Sequence, residues 1–353
     1  PVGEFVSDSG EKSEYSDRAL NINQTAQGIL DASEPPVRML WVASKNPFAQ
    51  DFDRNKMVKA FDKLEMVVCV DQFFNETVQH ADIVLPVTTT FEQWDVSSSY
   101  WHYWLSVNQP AIKPLYECKS DPEIAALLSK TINNLEPGSC TFPQEFDAKS
   151  WLDQEFNESM GKQFGIAGWD DLLEGPRKAK MVSSAAWYDR KFKTPSGKYE
   201  FKSERCAENG HTALPEYKAG AMGTLPFHLF TPHLQYGLHS QFVNLDWMQV
   251  FWPEPFVYIH PFAAQKKGIA EGDLVKVFNE AGHVELRAKI TTNVPEDFLV
   301  MYESWFNKLS YNVQNVVKDT PADMGKWRPV RQVRPFTVNL LILLCLGSKG
   351  AAA

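Results

Sequence analysis

Three short apolar runs, VRMLWVA (37–43), MVVCV (66–70) and DIVLPV (82–87), set the narrowest limit on what this chain folds into. They are continuous and rich in β-branched residues, without the polar alternation of a half-solvated strand. The first two are joined by SKNPFAQD and a helical MVKAFDKL, the last two by DQFFNETVQHA. Strands of this kind are buried on both faces, and a strand–helix–strand rhythm makes the sheet parallel. In open parallel sheets ligands sit off the carboxyl ends of the strands. The informative loops therefore follow Ala43, Val70 and Val87.

Around this centre the chain divides further. Residues 1–36 are rich in Ser, Asp, Glu, Asn and Gln, with few aliphatics, and are predicted to be a leader crossing a surface. A partial α/β domain over 37–133 ends in DPEIAALLSKTIN (121–133), a helix N-capped by Ser120 or Asp121. Residues 134–224 are long, polar and punctuated, a helical and irregular linker with a hairpin expected where TPSG turns into KYEFKSE (198–204). From 225 to 336 the runs FHLFT, PFVYIHP, DLVKVFN, HVELRAKIT and FLVMYES, separated by Gly, Pro and Asn turns, predict five or six short strands in a small closed barrel. The last stretch, 337–353, begins apolar and reads as a tail outside these domains, either a cloning or frame artefact or a misplaced apolar strand.

Composition excludes some partners. Of 353 residues, 35 are basic and 44 acidic, for a net charge of −9, and no Lys/Arg run exceeds two. That is no footprint for a nucleic-acid backbone. The longest strongly apolar stretch, Leu340 to Leu346, is far below the roughly 20 residues of a spanning helix, so no direct membrane insertion is expected. Five scattered cysteines never adopt a CxxC spacing, so buried, inert thiols are expected and no metal ligands. The start at Pro1, without methionine or signal sequence, points to a piece of a longer polypeptide.

Few residues carry chemistry. Small polar residues follow the first strand at Ser44–Pro47, where backbone amides suit a phosphate, although Asn-Pro is also an ordinary turn signal. Asp71 places an acceptor-only carboxylate at the end of the second strand, suited to the paired donors of a guanine edge; on these residues alone a helix N-cap is favoured. In TPHLQYGLHSQ (231–241) two histidines stand six apart, but no cysteine or carboxylate completes a metal set, so polar loop contacts are the better reading. No nucleophile elbow, phosphate-binding loop or GxGxxG follows any strand. Residues and spacings alone leave an α/β domain plus a β-barrel with polar ligand loops.

Taken in order, WVASKNPFAQD, VVCVDQFFNETVQHADIVLPVTTTFEQWD, KSDPEIAALLSK, TPSGKYEF, LFTPHLQYGLHSQFVN and VYIHPFAAQKKGIAEGDLVKVFNEAGHVELRAKIT resemble the molybdenum oxidoreductase superfamily that includes dimethyl sulfoxide reductase. The resemblance implies a fold of α/β plus all-β class: part of a parallel-sheet cofactor-flanking domain, then a C-terminal double-psi β-barrel. It implies the C-terminal half of a catalytic subunit that binds bis(molybdopterin guanine dinucleotide) with molybdenum or tungsten. By it, Asn46 and Pro47 face a diphosphate, and Asp71, supported by Asn75 or Thr77, binds a guanine edge. Thr231, His233, Gly237, His239 and Ser240 match a loop that wraps a pterin, with a looser match at Asn312 and Asp319.

The segment FEQWDVSSSYWHYW departs from the common pattern, with Trp94-Asp95 where Gly-Thr is usual, and Tyr100 and Trp101 enlarging the loop. That departure resembles the dimethyl sulfoxide reductase-like branch with iron–sulfur partners. No catalytic residue and no metal ligand of the family lies in this chain; the metal-ligand loop and any [4Fe-4S] cysteines belong to an N-terminal half upstream. The implied activity is reduction of S-oxides or N-oxides by oxo transfer in anaerobic respiration. The implied partners are that N-terminal half and an iron–sulfur electron-transfer subunit, with the bacterial periplasm favoured over the cytoplasm. The alternative is a standalone nucleotide- or pterin-binding module without redox activity.

Overall fold

A computed structural model describes residues 20–99, 102–180, 183, 185–208, 210, 212–217, 224–303, 311–320 and 336–342. Tyr100, Trp101 and the tail beyond 342 lie outside them. The chain forms two compact units: one of 1–86 with 220–353, the other of 87–219.

The first unit opens with a correction to the leader. A 3-10 turn capped by Asn21 leads into α1 (Thr25–Asp31), and Ala26 and Ile29 are each 1% exposed. The spacing Ala26, Ile29, Leu30 puts these few aliphatics on one stripe, which is enough to enter the core. The elements β1 (Met39–Ala43), α2 (Pro47–Gln50), α3 (Arg54–Lys63), β2 (Met66–Asp71), α4 (Glu76–Gln79) and β3 (Ile83–Pro86) follow. The strands form a parallel sheet in the order β1-β2-β3, with Trp41 opposite Val68 and Val68 opposite Ile83. Only the central strand is covered on both faces: Val67 to Val70 are buried, while Met39, Trp41 and Ile83 are exposed.

The second unit contains β4 (Asp95–Ser97), β5 (Trp104–Asn108), α5 (Asp121–Leu135), α6 (Ala148–Glu155), α7 (Glu158–Phe164), β6 (Arg177–Lys178) and α8 (Glu204–Glu208). A small antiparallel sheet, β4-β5-β6, packs Leu105 with Ile166 and Leu172. Ser120 and Glu123 form a reciprocal capping box at α5. The strand expected over KYEFKSE is absent: residues 198–203 are bends and coil leading into α8. Tyr199 finds ring partners in Phe192 and Phe201, and among the described residues no neighbouring strand pairs this backbone.

The chain then returns to the first unit with β7 (Phe227–Phe230), α9 (Asp246–Phe251), β8 (Phe256–Ile259), α10 (Pro261–Lys267), β9 (Leu274–Phe278), β10 (His283–Ile290), β11 (Phe298–Met301) and β12 (Phe336–Ile342). These six strands close a barrel in the order β10-β8-β11-β7-β12-β9. The ladders are parallel at β10/β8 and β11/β7, and antiparallel elsewhere. Alternation sends Val275, Val277, Val284, Leu286 and Ala288 inward. The apolar tail supplies the closing strand, since residues 336–342 pair with both β7 and β9.

Candidate functional site

Two clusters in the first unit hold the candidate residues. The first lies at the carboxyl ends of β1 and β2. Ser44 leaves β1 in the left-handed region, at φ 53°, and Lys45 pairs with the buried Asp51 at 2.8 Å, pinning the turn. A non-glycine residue held at positive φ costs about 1–3 kcal/mol and marks a loop whose shape is over-determined. Burial raises the Asp51 carboxyl above its ordinary range, against the opposing pull of Lys45.

Asn46, 6% exposed, accepts from Thr77 Oγ1 through its side-chain oxygen at 2.6 Å, and its backbone N–H donates to Gln50 at 2.8 Å. The Thr77 hydroxyl accepts in turn from Phe48 N at 3.1 Å. Pro47 opens α2, where its missing N–H costs nothing. Asn46, Pro47 and Thr77 are thus one buried brace between the turn after β1 and α4.

Asp71 is not a helix cap. Asn75 caps α4, its side chain accepting from Val78 N at 3.1 Å. Asp71 Oδ1 accepts from Phe73 N at 2.9 Å and Oδ2 from Asn75 Nδ2 at 2.7 Å, so both oxygens are held in place and each keeps acceptor capacity. The carboxylate is half-buried at the carboxyl end of the central strand. Behind it, the Cys69 thiol is pushed up to about 11 by burial and by the Asp71 charge, as expected of an inert thiol.

Asn312 and Asp319 belong to a seam between this lobe and the barrel. Asn312 Nδ2 donates to Phe48 O at 2.7 Å and to Glu76 Oε2 at 3.0 Å. Gln314 donates to Ala49 O at 3.3 Å, Asp53 N to Val317 O at 2.9 Å, and Lys56 pairs with Asp319 at 2.6 Å. Glu76 also takes Arg54.

The second cluster is the loop after β7. His239 stands at φ 51° and Phe242 at φ 71°. Gly237 is packed so closely that a Cβ would meet Leu234 Cβ at 3.1 Å. Thr231 and Ser240 are half-buried at its two ends. His233 Nδ1 lies 2.5 Å and His239 Nδ1 3.7 Å from one oxygen of Glu303, whose side chain is 14% exposed. The sequence reading that no carboxylate joins these histidines is therefore corrected. Glu303 is far away in the chain, just past the end of β11, and folding alone brings it there.

Comparison with known proteins bears on these clusters. Residues 7–131 match the family described as molybdopterin oxidoreductase, and residues 227–332 the molydopterin dinucleotide binding domain. The chain belongs to the dimethyl sulfoxide reductase family of molybdopterin oxidoreductases. It is 31% identical over 309 residues to dimethyl sulfoxide/trimethylamine N-oxide reductase of Cereibacter sphaeroides, covering 79% of this chain and 37% of that protein. It is 28% identical over 316 residues to trimethylamine-N-oxide reductase of Vibrio cholerae, again 79% and 37%. It thus spans less than half the length of these relatives. Acetylene hydratase from Pelobacter acetylenicus shares the fold, with a TM-score of 0.69 at 19% identity over 90% of this chain and 46% of that one.

The family cofactor is a molybdopterin dinucleotide, and the residues present fit one. The matched stretches contain both clusters: a fixed carboxylate with spare acceptors at the carboxyl end of the central strand, and a polar histidine loop on the barrel.

Proposed function

We propose that this chain is the C-terminal, cofactor-holding portion of an oxo-transfer catalytic subunit that reduces S-oxides or N-oxides, and that it binds the guanine form of the molybdopterin dinucleotide. The observation that carries this reading is Asp71. Its two fixed oxygens offer acceptors only, and a guanine edge offers two adjacent donors, N1–H and the exocyclic amine. A cytosine edge offers one donor beside two acceptors, which a carboxylate would repel. The barrel, with its mixture of parallel and antiparallel ladders, supports a double-psi topology.

When bound, the metal of such a cofactor supplies the two-electron change that accompanies oxygen-atom transfer. This chain's residues would do the rest of the work of holding. Asp71 would anchor the base, and the braced turn at Ser44–Pro47 would set the backbone amides that meet the diphosphate. The His233–Ser240 loop would lie along a pterin. Fold alone does not fix the reaction, since a structural neighbour is named a hydratase; the reductase names of the relatives support the oxo-transfer reading. An N-terminal half with the metal ligand, an iron–sulfur partner subunit and periplasmic residence complete the proposal.

The test is Asp71→Asn in the complete reading frame. An amide presents one acceptor and one donor, so a charge-assisted bond worth about 1.5–3 kcal/mol is lost. Molybdenum and guanine content of the purified protein should fall at least tenfold. Native content in the variant refutes the guanine assignment.

A further inference from the structure

Among the described residues, one group brings three metal-ligating side chains together: His233, His239 and Glu303, whose ligand atoms all lie within 4.8 Å of one another. His233 Nδ1 stands 2.5 Å and His239 Nδ1 3.7 Å from the same oxygen, Glu303 Oε1. That oxygen is buried and accepts no hydrogen bond. Among the described residues no Lys or Arg pairs with it either. A buried carboxylate oxygen is costly to leave unmet, and positive charge is what meets it. Two imidazole nitrogens converging on such an oxygen, with no proton shared at the oxygen, form the donor set of a cation.

We propose that His233, His239 and Glu303 form a divalent-metal site, zinc by its ligand set, that staples the loop after β7 to the end of β11. Two neutral imidazoles and one carboxylate suit zinc, whereas magnesium and calcium take oxygen ligands. Three protein ligands leave the fourth tetrahedral position to water. The site goes beyond the cofactor reading above and stands apart from it, because it uses only the Nδ1 edges that turn towards Glu303.

The geometry fits an ion of that size. Ligand atoms around a tetrahedral zinc at about 2.0–2.1 Å stand about 3.3 Å apart, and the two nitrogen-to-oxygen separations straddle that value. Entry of the ion moves His233 out by roughly 0.8 Å and His239 in by roughly 0.4 Å, shifts open to side chains that are 41% and 44% exposed. Two imidazoles on one tetrahedral zinc place their ring centroids about 5.2 Å apart; here they stand 5.0 Å apart, at 72° to one another. The backbone is arranged for the same end. His239 is held at φ 51°, and Glu303 N donates to Pro232 O at 3.1 Å, so the carboxylate is registered against the loop that carries both histidines. A strained residue persists where its surroundings over-determine it, and a metal bond at His239 is such a constraint.

The experiment is calorimetric titration of zinc into the full chain, prepared without a histidine tag. One equivalent should bind, and cobalt in its place should give the visible absorption of a tetrahedral ion. Glu303→Gln and His239→Ala each remove a direct ligand, so affinity should fall by more than the about 10–100-fold that outer contacts are worth. His283→Ala, at a surface histidine beside Glu285 at 3.9 Å, should leave it unchanged. The staple is read by hydrogen exchange: at free zinc a hundred times Kd, opening of the 233–241 amides should slow about a hundredfold. Binding only at millimolar zinc, or none, overturns the site in the native chain, so a misfolded variant does not protect it. Equal affinity in Glu303→Gln, or displacement of the zinc by calcium, overturns the ligand set. Zinc that binds without slowing the loop amides overturns the staple. The zinc titration judges this site alone, while molybdenum and guanine content judges Asp71.

Discussion

Asn312→Ala tests whether the later contact segment braces the fold. Asn312 makes three bonds: Nδ2 to Phe48 O at 2.7 Å, Nδ2 to Glu76 Oε2 at 3.0 Å, and Oδ1 from Gln314 N at 3.0 Å. Phe48 is fully buried, so stranding its carbonyl costs about 1–3 kcal/mol. Loss of the cap on Gln314 N adds about 1 kcal/mol. Glu76 is 30% exposed and keeps Arg54, so its share stays below about 1 kcal/mol. The expected destabilisation is about 3 kcal/mol, falling on the unit that holds the barrel. Native-state hydrogen exchange of the β9 and β10 amides reads that unit without mixing in the other compact one. A loss below about 0.5 kcal/mol would refute the brace and return Asn312 to cofactor contact alone. A cycle with Glu76→Gln should give a coupling of about 0.5–1 kcal/mol, and additivity would remove Glu76 from the seam.

Two further outcomes follow from other groups of the chain. Cys69, with its thiol near 11, holds about one part in ten thousand as thiolate at neutral pH; iodoacetamide should label the half-buried Cys118, Cys140 and Cys206 well before it, and equal rates would contradict its burial. The Glu92 carboxylate accepts from Thr89 N, Leu115 N and the Thr89 hydroxyl at 2.7–2.8 Å, which lowers its pKa. A lowered carboxylate stabilises above its ordinary range near about 4.3, and that stability is lost as pH falls through the folded value. Glu92→Gln should therefore reduce stability at pH 7 and flatten the acid side of the urea-midpoint profile, and an unchanged slope would exclude the carboxylate as its source.

Local pattern made the parallel sheet and most of the barrel legible. Val67 to Val70 read as a buried strand because every residue in the run is apolar, and β9 and β10 announced themselves by alternation. The failures have physical causes. Helix α1 gives no core signal in the sequence because its buried stripe is carried by only a few aliphatics among polar residues, below the density that marks a core segment. KYEFKSE alternates as a strand should, yet a strand needs a partner, and Tyr199 and Phe201 meet aromatic rings edge to face instead. The apolar tail looked surplus because nothing local shows that the barrel lacks a strand between β7 and β9.

The site shows the same limit more sharply. Asp71 was visible as a carboxylate ending a strand, but its role turned on Asn75, four residues on, whose amide holds Asp71 and whose oxygen caps α4. That one residue removes the N-cap reading of Asp71 and leaves a fixed acceptor pair at the carboxyl end of the central strand. The partners that decide the other roles are remote: Asn312 meets Phe48 across 264 positions. Asn312 resembles a ligand contact in the sequence because its protein partners lie out of range of any motif. A polar residue in a cofactor-binding segment has two ways to be satisfied, by the protein or by the ligand, and burial forces one of them. Asn312 has its protein partners already, so its removal should reach the cofactor only through stability. Asp71 keeps acceptor capacity, and a deficit of molybdenum and guanine in Asp71→Asn without a matching loss of fold is the result that separates the two kinds of residue.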